Sequence, residues 1–178
     1  ALPIWSKWQP AAGDTVRFKE GASDTGKMFI HSMKPENGLF TIRAMSMPKT
    51  AKIRKSKSWE GVRFLQLANE FAGNHGLTFK NYGCEDQVYP YIKQSNEGDF
   101  SLFSRLCMLE GCQMLIFDGS LLAYNEHYIE QQEPAGSLTV DENGVFTYDD
   151  NRDTMFGSCE VASGSYSGKY VADASNSA

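Results

Sequence analysis

Polar and apolar residues alternate through the first quarter of the chain. Thr15-Val16-Arg17-Phe18 alternates, Gly26-Lys27-Met28-Phe29-Ile30-His31 follows a glycine-containing turn, and Leu39-Phe40-Thr41-Ile42-Arg43-Ala44 follows Asn37-Gly38. Asn-Gly between two β-rich runs is a strong hairpin signal, because both residues accept the left-handed backbone that a tight hairpin turn needs. Residues 14–46 therefore read as a small antiparallel meander.

The period then lengthens. From Trp59 to Asn74 the positions Val62, Leu65, Ala68, Phe71, Ala72 and His75 recur at three-four spacing, which predicts a helix. Ser58 is its expected N-cap, Glu60 lies in its first turn, and Gly76 is placed to stop it in the left-handed conformation. Leu77-Thr78-Phe79 and Val88-Tyr89-Pro90-Tyr91-Ile92 read as short strands. A second helix is expected from Ser95 or Asn96 to Gly111, turning Phe100, Phe103, Leu106, Cys107 and Met108 or Leu109 inward. Met114-Leu115-Ile116-Phe117 and Leu121-Leu122-Ala123-Tyr124 flank Asp118-Gly119, a second hairpin signal.

The end of the chain returns to β texture. Ser137-Leu138-Thr139-Val140 and Val145-Phe146-Thr147-Tyr148 flank the loop Asp141-Glu142-Asn143-Gly144, and Met155 to Ala162 reads as a further strand. Gly157, Gly164 and Gly168 read as turn glycines among serines, and Asp173 to Ala178 as a frayed polar tail. The pattern defines an α+β chain in three parts: 1–49, an N-terminal antiparallel β subdomain; 50–130, an α+β insertion with two helices; and 131–178, returning strands and a tail.

Composition narrows the possible roles. Seventeen basic residues against twenty-two acidic ones give a net charge of -5 and a pI near 5.2, which disfavours nucleic acid as the main partner. No apolar run is long enough to span a bilayer. The opening Ala1-Leu2-Pro3-Ile4-Trp5 lacks an initiating Met and a basic leader, and reads as the start of a piece cut from a longer chain. Cys84, Cys107, Cys112 and Cys159 have irregular spacing with no C-x-x-C pair, so free thiols are expected.

Candidate chemistry is sparse. His31, His75 and His127 occupy a strand, a helix end and a post-hairpin segment, without metal-binding spacing. Asp149, Asn151, Asp153 and Glu160 match four ligand positions of a calcium loop, but Thr154 stands where the sharp turn needs Gly. A solvated acidic turn is the better account. Glu97, Asp99, Glu110 and Glu126 are the carboxylates that could converge for glycoside hydrolysis. Of these, Glu97 and Asp99 serve a helix start equally well. No catalytic, cofactor or metal site is therefore assigned. One local reversal of charge stands out: Lys49, Lys52, Arg54, Lys55 and Lys57 form a basic run suited to a solvated connection or to an acidic neighbouring subunit.

The segment Tyr91-Ile92-Lys93-Gln94-Ser95-Asn96-Glu97-Gly98-Asp99-Phe100-Ser101-Leu102-Phe103-Ser104-Arg105-Leu106 resembles the stretch of phage late-control, or tail hub, proteins in which Q-x-N-E-S-D opens a helix. That family continues with a glycine, a short strand and D-G-x-L, as this chain does through Gly111, Met114 to Phe117 and Asp118-Gly119-Ser120-Leu121. Gly98 departs from the family's usual Ser. Ala44-Met45-Ser46-Met47-Pro48, Lys55-Ser56-Lys57-Ser58-Trp59-Glu60, His75-Gly76-Leu77 and the opening Trp5-x-x-Trp8-Gln9-Pro10-x-x-Gly13-Asp14 extend the resemblance across about residues 3 to 170.

This resemblance implies a hub-like α+β fold with an antiparallel β-barrel-like subdomain, an architecture shared with type VI secretion spike proteins. It implies a non-enzymatic homotrimer joining a tail tube to a spike or baseplate, without cofactors, membrane or specific nucleic acid. Assembly would occur in the bacterial cytoplasm, before incorporation into a phage or prophage-derived particle. Trp5, Trp8, Lys52, Arg54, Lys55, Lys57 and Trp59 are the expected interface residues. The alternatives are a receptor- or carbohydrate-binding β module of a tail, or part of a tail-associated cell-wall hydrolase.

Overall fold

The computed structural model describes residues 10–36, 39–137 and 157–171. The chain divides into two units, Ala1–Glu133 and Pro134–Ala178.

In the first unit the alternating segment forms β1 (Thr15–Val16), β2 (Lys19–Glu20), β3 (Ser23–Asp24), β4 (Met28–Glu36) and β5 (Leu39–Met45). β4 pairs antiparallel with both β1 and β5, while β2 and β3 form a separate ribbon. The Asn37-Gly38 turn expected between β4 and β5 lies outside the described residues. Register slips between Ile30 and Ser32, which leaves His31 as the extra residue of a β-bulge. The α+β class holds, with mainly antiparallel sheets. Among the described residues the β1-β4-β5 sheet is open, and no barrel closes.

Beyond β5, the buried Pro48 leads into one 3-10 turn, Lys49–Lys52. There follow β6 (Lys55–Arg63), α1 (Phe64–Asn74), β7 (Thr78–Tyr82) and β8 (Val88–Glu97). Next come α2 (Asp99–Leu109), β9 (Gln113–Phe117), β10 (Ser120–Tyr124) and the short α3 (Glu126–Glu130). Both expected helices exist, but each starts later than its periodicity suggests. Trp59 to Arg63 is strand because it pairs with β8, Trp59 opposite Ile92 and Val62 opposite Tyr89. Ser95 to Glu97 likewise belongs to β8, where Glu97 faces Lys55 across the ribbon. Inter-strand hydrogen bonding outweighs local helical preference in both places.

Ser58 therefore caps nothing. The start of α1 is served by Asp86, whose Oδ1 accepts the Leu65 N–H at 2.9 Å while Oδ2 takes the Arg63 guanidinium at 2.6 Å. Gly76 ends α1 as expected, with φ 66°, and the Leu77 N–H returns to the Ala72 carbonyl.

β7, β10 and β9 form a sheet in that order, with β10 parallel to β7 and antiparallel to β9. The β9–β10 hairpin turns at Asp118 and Gly119, with φ 44° and 73°, as its Asp-Gly predicts. Helices α1 and α2 cover one face of this sheet and build the core. Phe103 lies at its centre, stacked on Phe64 at 5.2 Å and edge-on to Phe71 and Phe79 at 6.3 Å each. Phe100, Phe103, Leu106 and Cys107 are buried as expected, joined by Leu102. Met108 and Leu109 are instead 74% and 69% exposed, because they fall on the opposite side of a 3.6-residue turn.

In the second unit the described residues form a hairpin of β11 (Ser158–Ser163) and β12 (Tyr166–Val171). Gly164 lies in its turn, whereas Gly168 is a strand residue opposite Val161. The hairpin expected at 137–148 and the Asp149 to Asp153 segment lie largely outside the described residues.

Candidate interaction surface and the polar junction beneath it

The basic run does not act as one patch, because the fold assigns its members different partners. Lys55 reaches inward, and its Nζ donates to Asp99 Oδ2 at 3.0 Å. Lys57 lies over the Trp59 ring at 4.6 Å, and its Nζ binds Glu70 Oε1 at 2.6 Å. Trp59 donates its indole N–H to the other oxygen of Glu70 at 3.0 Å and meets Phe71 edge-on at 5.7 Å. Glu70 of α1 thus clamps β6 through two neighbouring side chains. Lys52 and Arg54 stay exposed, and Lys52 turns towards the β4–β5 sheet. Trp5 and Trp8 lie outside the described residues.

Asp99, the first residue of α2, is the hub of a buried junction that sequence reasoning did not identify. Its Oδ1 accepts the Gln94 amide at 2.9 Å. Its Oδ2 accepts from Lys55 at 3.0 Å, from His75 Nε2 at 3.1 Å and from the Asn74 amide at 3.3 Å. Burial alone would raise the pKa of Asp99. The Gln94 amide and the Lys55 ammonium, helped by Asn74, outweigh it and hold the carboxyl below its ordinary range. Burial pushes the His75 ring below its ordinary pKa against the pull of Asp99. The neutral ring with its proton on Nε2 satisfies both contacts, leaving Nδ1 to accept from the Thr50 hydroxyl at 3.0 Å.

Hydroxyl, imidazole and carboxylate in that order resemble a nucleophilic relay. Here, however, the carboxylate has three further donors, one of them a cation. The cluster joins the 3-10 turn, β6, the end of α1, the end of β8 and the start of α2 at one point. Among the described residues no buried polar side-chain atom lacks a partner. The other carboxylates considered for hydrolysis are dispersed: Glu97 binds Arg105 at 3.0 Å and Glu110 accepts the Tyr89 hydroxyl at 2.7 Å. His31 and His127 bind the Met47 carbonyl and the Gln131 amide respectively.

No protein-family model and no curated protein sequence matches the chain. Among solved structures it is similar to the crystal structure of the 43 kDa tail protein of prophage MuSo2 from Shewanella oneidensis. The TM-score is 0.53 at 13% sequence identity, and the match covers 65% of this chain and 39% of that one. The likeness is one of fold, and the matched part spans well under half of the longer protein.

Proposed function

We propose that this chain is a structural part of a contractile phage tail or of an injection machine derived from one, in the hub position that joins tube to spike. One observation carries the reading: its fold matches that of a prophage tail protein over 65% of the chain. The order of hub-like motifs from Gln94 to Leu121 supports the finer assignment. The use of the most reactive-looking side chains, Asp99 and His75, as internal ties between elements favours a structural over a catalytic role.

On this reading the protein assembles as a homotrimer in the bacterial cytoplasm and then enters the particle. It contacts tube and spike proteins through Lys52, Arg54 and the tryptophans, and catalyses nothing. The test is a solution mass measurement of the purified protein, alone and mixed with the tube and spike proteins encoded beside it. A trimer that captures at least one of them is expected. A monomer that binds neither, or release of soluble fragments from purified cell wall, would remove the proposal.

A further inference from the structure

Some cations of this chain are held by carboxylates and others are not. Arg17, Lys19, Lys55, Lys57, Arg63 and Arg105 each have a carboxylate within ion-pair distance. Arg43, Lys49 and Lys52 have none among the described residues, yet they converge on one cleft of about 310 Å³. His31, Ser32 and Met45 complete its lining.

Two elements build this cleft. At the β4 bulge, His31 Nε2 donates to the Met47 carbonyl at 2.8 Å, which ties the bulge to the segment leading into the 3-10 turn. Arg43 stands on β5 opposite Ser32. In the 3-10 turn, residues three apart eclipse one another, so Lys49 and Lys52 leave the turn on the same side and both line the cleft. The result is three cations around one recess, in a chain with seventeen basic and twenty-two acidic residues.

We propose that this cleft binds a carboxylate-bearing segment of a partner protein. The planar fork of Arg43 suits one carboxylate bidentately, and Lys49 and Lys52 suit a second as point charges. Met45 offers an apolar wall to the stem of a Glu side chain. Two features favour an acidic protein segment over nucleic acid. The cations line a single recess and do not follow a strand-length track, and no Phe, Tyr or Trp lines it for base stacking. The inference does not depend on membership of a tail, so each can fail without the other.

The experiment is an NMR titration of the labelled protein with a short polyglutamate peptide, run beside inorganic phosphate and a single-stranded oligonucleotide. Peptide-induced shifts are expected on β4, β5 and the 3-10 turn. Arg43→Glu with Lys52→Glu is expected to weaken peptide binding by about tenfold or more, against less than about twofold for the exposed control pair Lys80→Glu with Lys93→Glu. If the acidic double variant does not fold, Lys49→Ala with Lys52→Ala replaces it in the same comparison. Absence of shifts with the peptide, equal weakening by the control pair, or tighter binding of phosphate or oligonucleotide would each overturn the proposal.

Discussion

Asp99 shows how one side chain can couple distant parts of the chain. Its carboxylate collects four donors from β6, the end of α1 and β8, yet it is 2% exposed. Removing its charge leaves His75 and Gln94 with weakened partners in a place water does not reach, and deprives the partly exposed Lys55 of its counter-ion. Asp99→Asn is expected to cost about 2–4 kcal/mol of unfolding free energy by urea titration. Lys57→Ala, whose half-exposed pair with Glu70 is screened by solvent, should cost about 1 kcal/mol or less. Equal costs would mean that the buried junction contributes little. The thiols provide a second residue-scale test. Cys84, Cys107 and Cys112 are buried and Cys159 is exposed. Burial also raises the pKa of Cys84 and pushes that of Cys107 up to about 12, which suppresses the reactive thiolate. A thiol-specific chromogenic reagent should label one cysteine in the native protein and the other three after unfolding. Rapid native labelling of two or more would contradict the packing.

At the scale of elements, boundaries are set by partners remote in sequence. The N-terminus of α1 depends on Asp86 rather than on Ser58, so Asp86→Ala should lower stability by about 0.5–2 kcal/mol while Ser58→Ala leaves it nearly unchanged. Chemical denaturation of the two variants checks this, and the reverse ranking would restore the earlier helix start. A second test concerns the loop after β7. Gly83 has φ 78°, and a methyl group there would strike the ring of Tyr128 in α3. Gly83→Ala therefore combines backbone strain with displacement of α3. In a Tyr128→Gly background, which also removes the Tyr128 Cβ that the methyl would meet, only the strain remains, about 1 kcal/mol. A thermal-melt comparison should show a smaller loss in that background, and equal losses would show that α3 does not press on this position.

For the whole molecule, the junction makes stability depend on pH in one direction. His75 has a folded pKa below its ordinary 6.5, so as pH falls through 6.5 the unfolded chain takes up a proton that the folded protein resists. Asp99 has a folded pKa below its ordinary 3.8, so its contribution is present above that pH and is lost progressively at lower pH. Both effects favour the folded state at neutral pH. Urea midpoints should therefore fall as pH is lowered from 7 towards 5, and the fall should be smaller in His75→Gln. A His75→Gln profile superimposable on the parent would exclude the histidine as the source.

Much of this architecture was legible from local pattern. Alternation located β4 and β5, three-four spacing located the bodies of α1 and α2, and Asp118-Gly119 and Gly76 marked a turn and a stop, because each depends on residues close in sequence. Where strand gives way to helix was not legible: residues 59–63 and 95–97 have helical spacing but are held extended by the pairing of β6 with β8. Nor could spacing reveal the Asp99 junction, whose members come from five elements, or the cleft at Arg43, Lys49 and Lys52. The basic run was visible as charge, but only folding decided that Lys55 and Lys57 are neutralised within the chain while Lys49 and Lys52 meet no carboxylate among the described residues. Neighbouring residues dictate a chain's periodicity; which charges find partners depends on contacts that form only when distant segments meet.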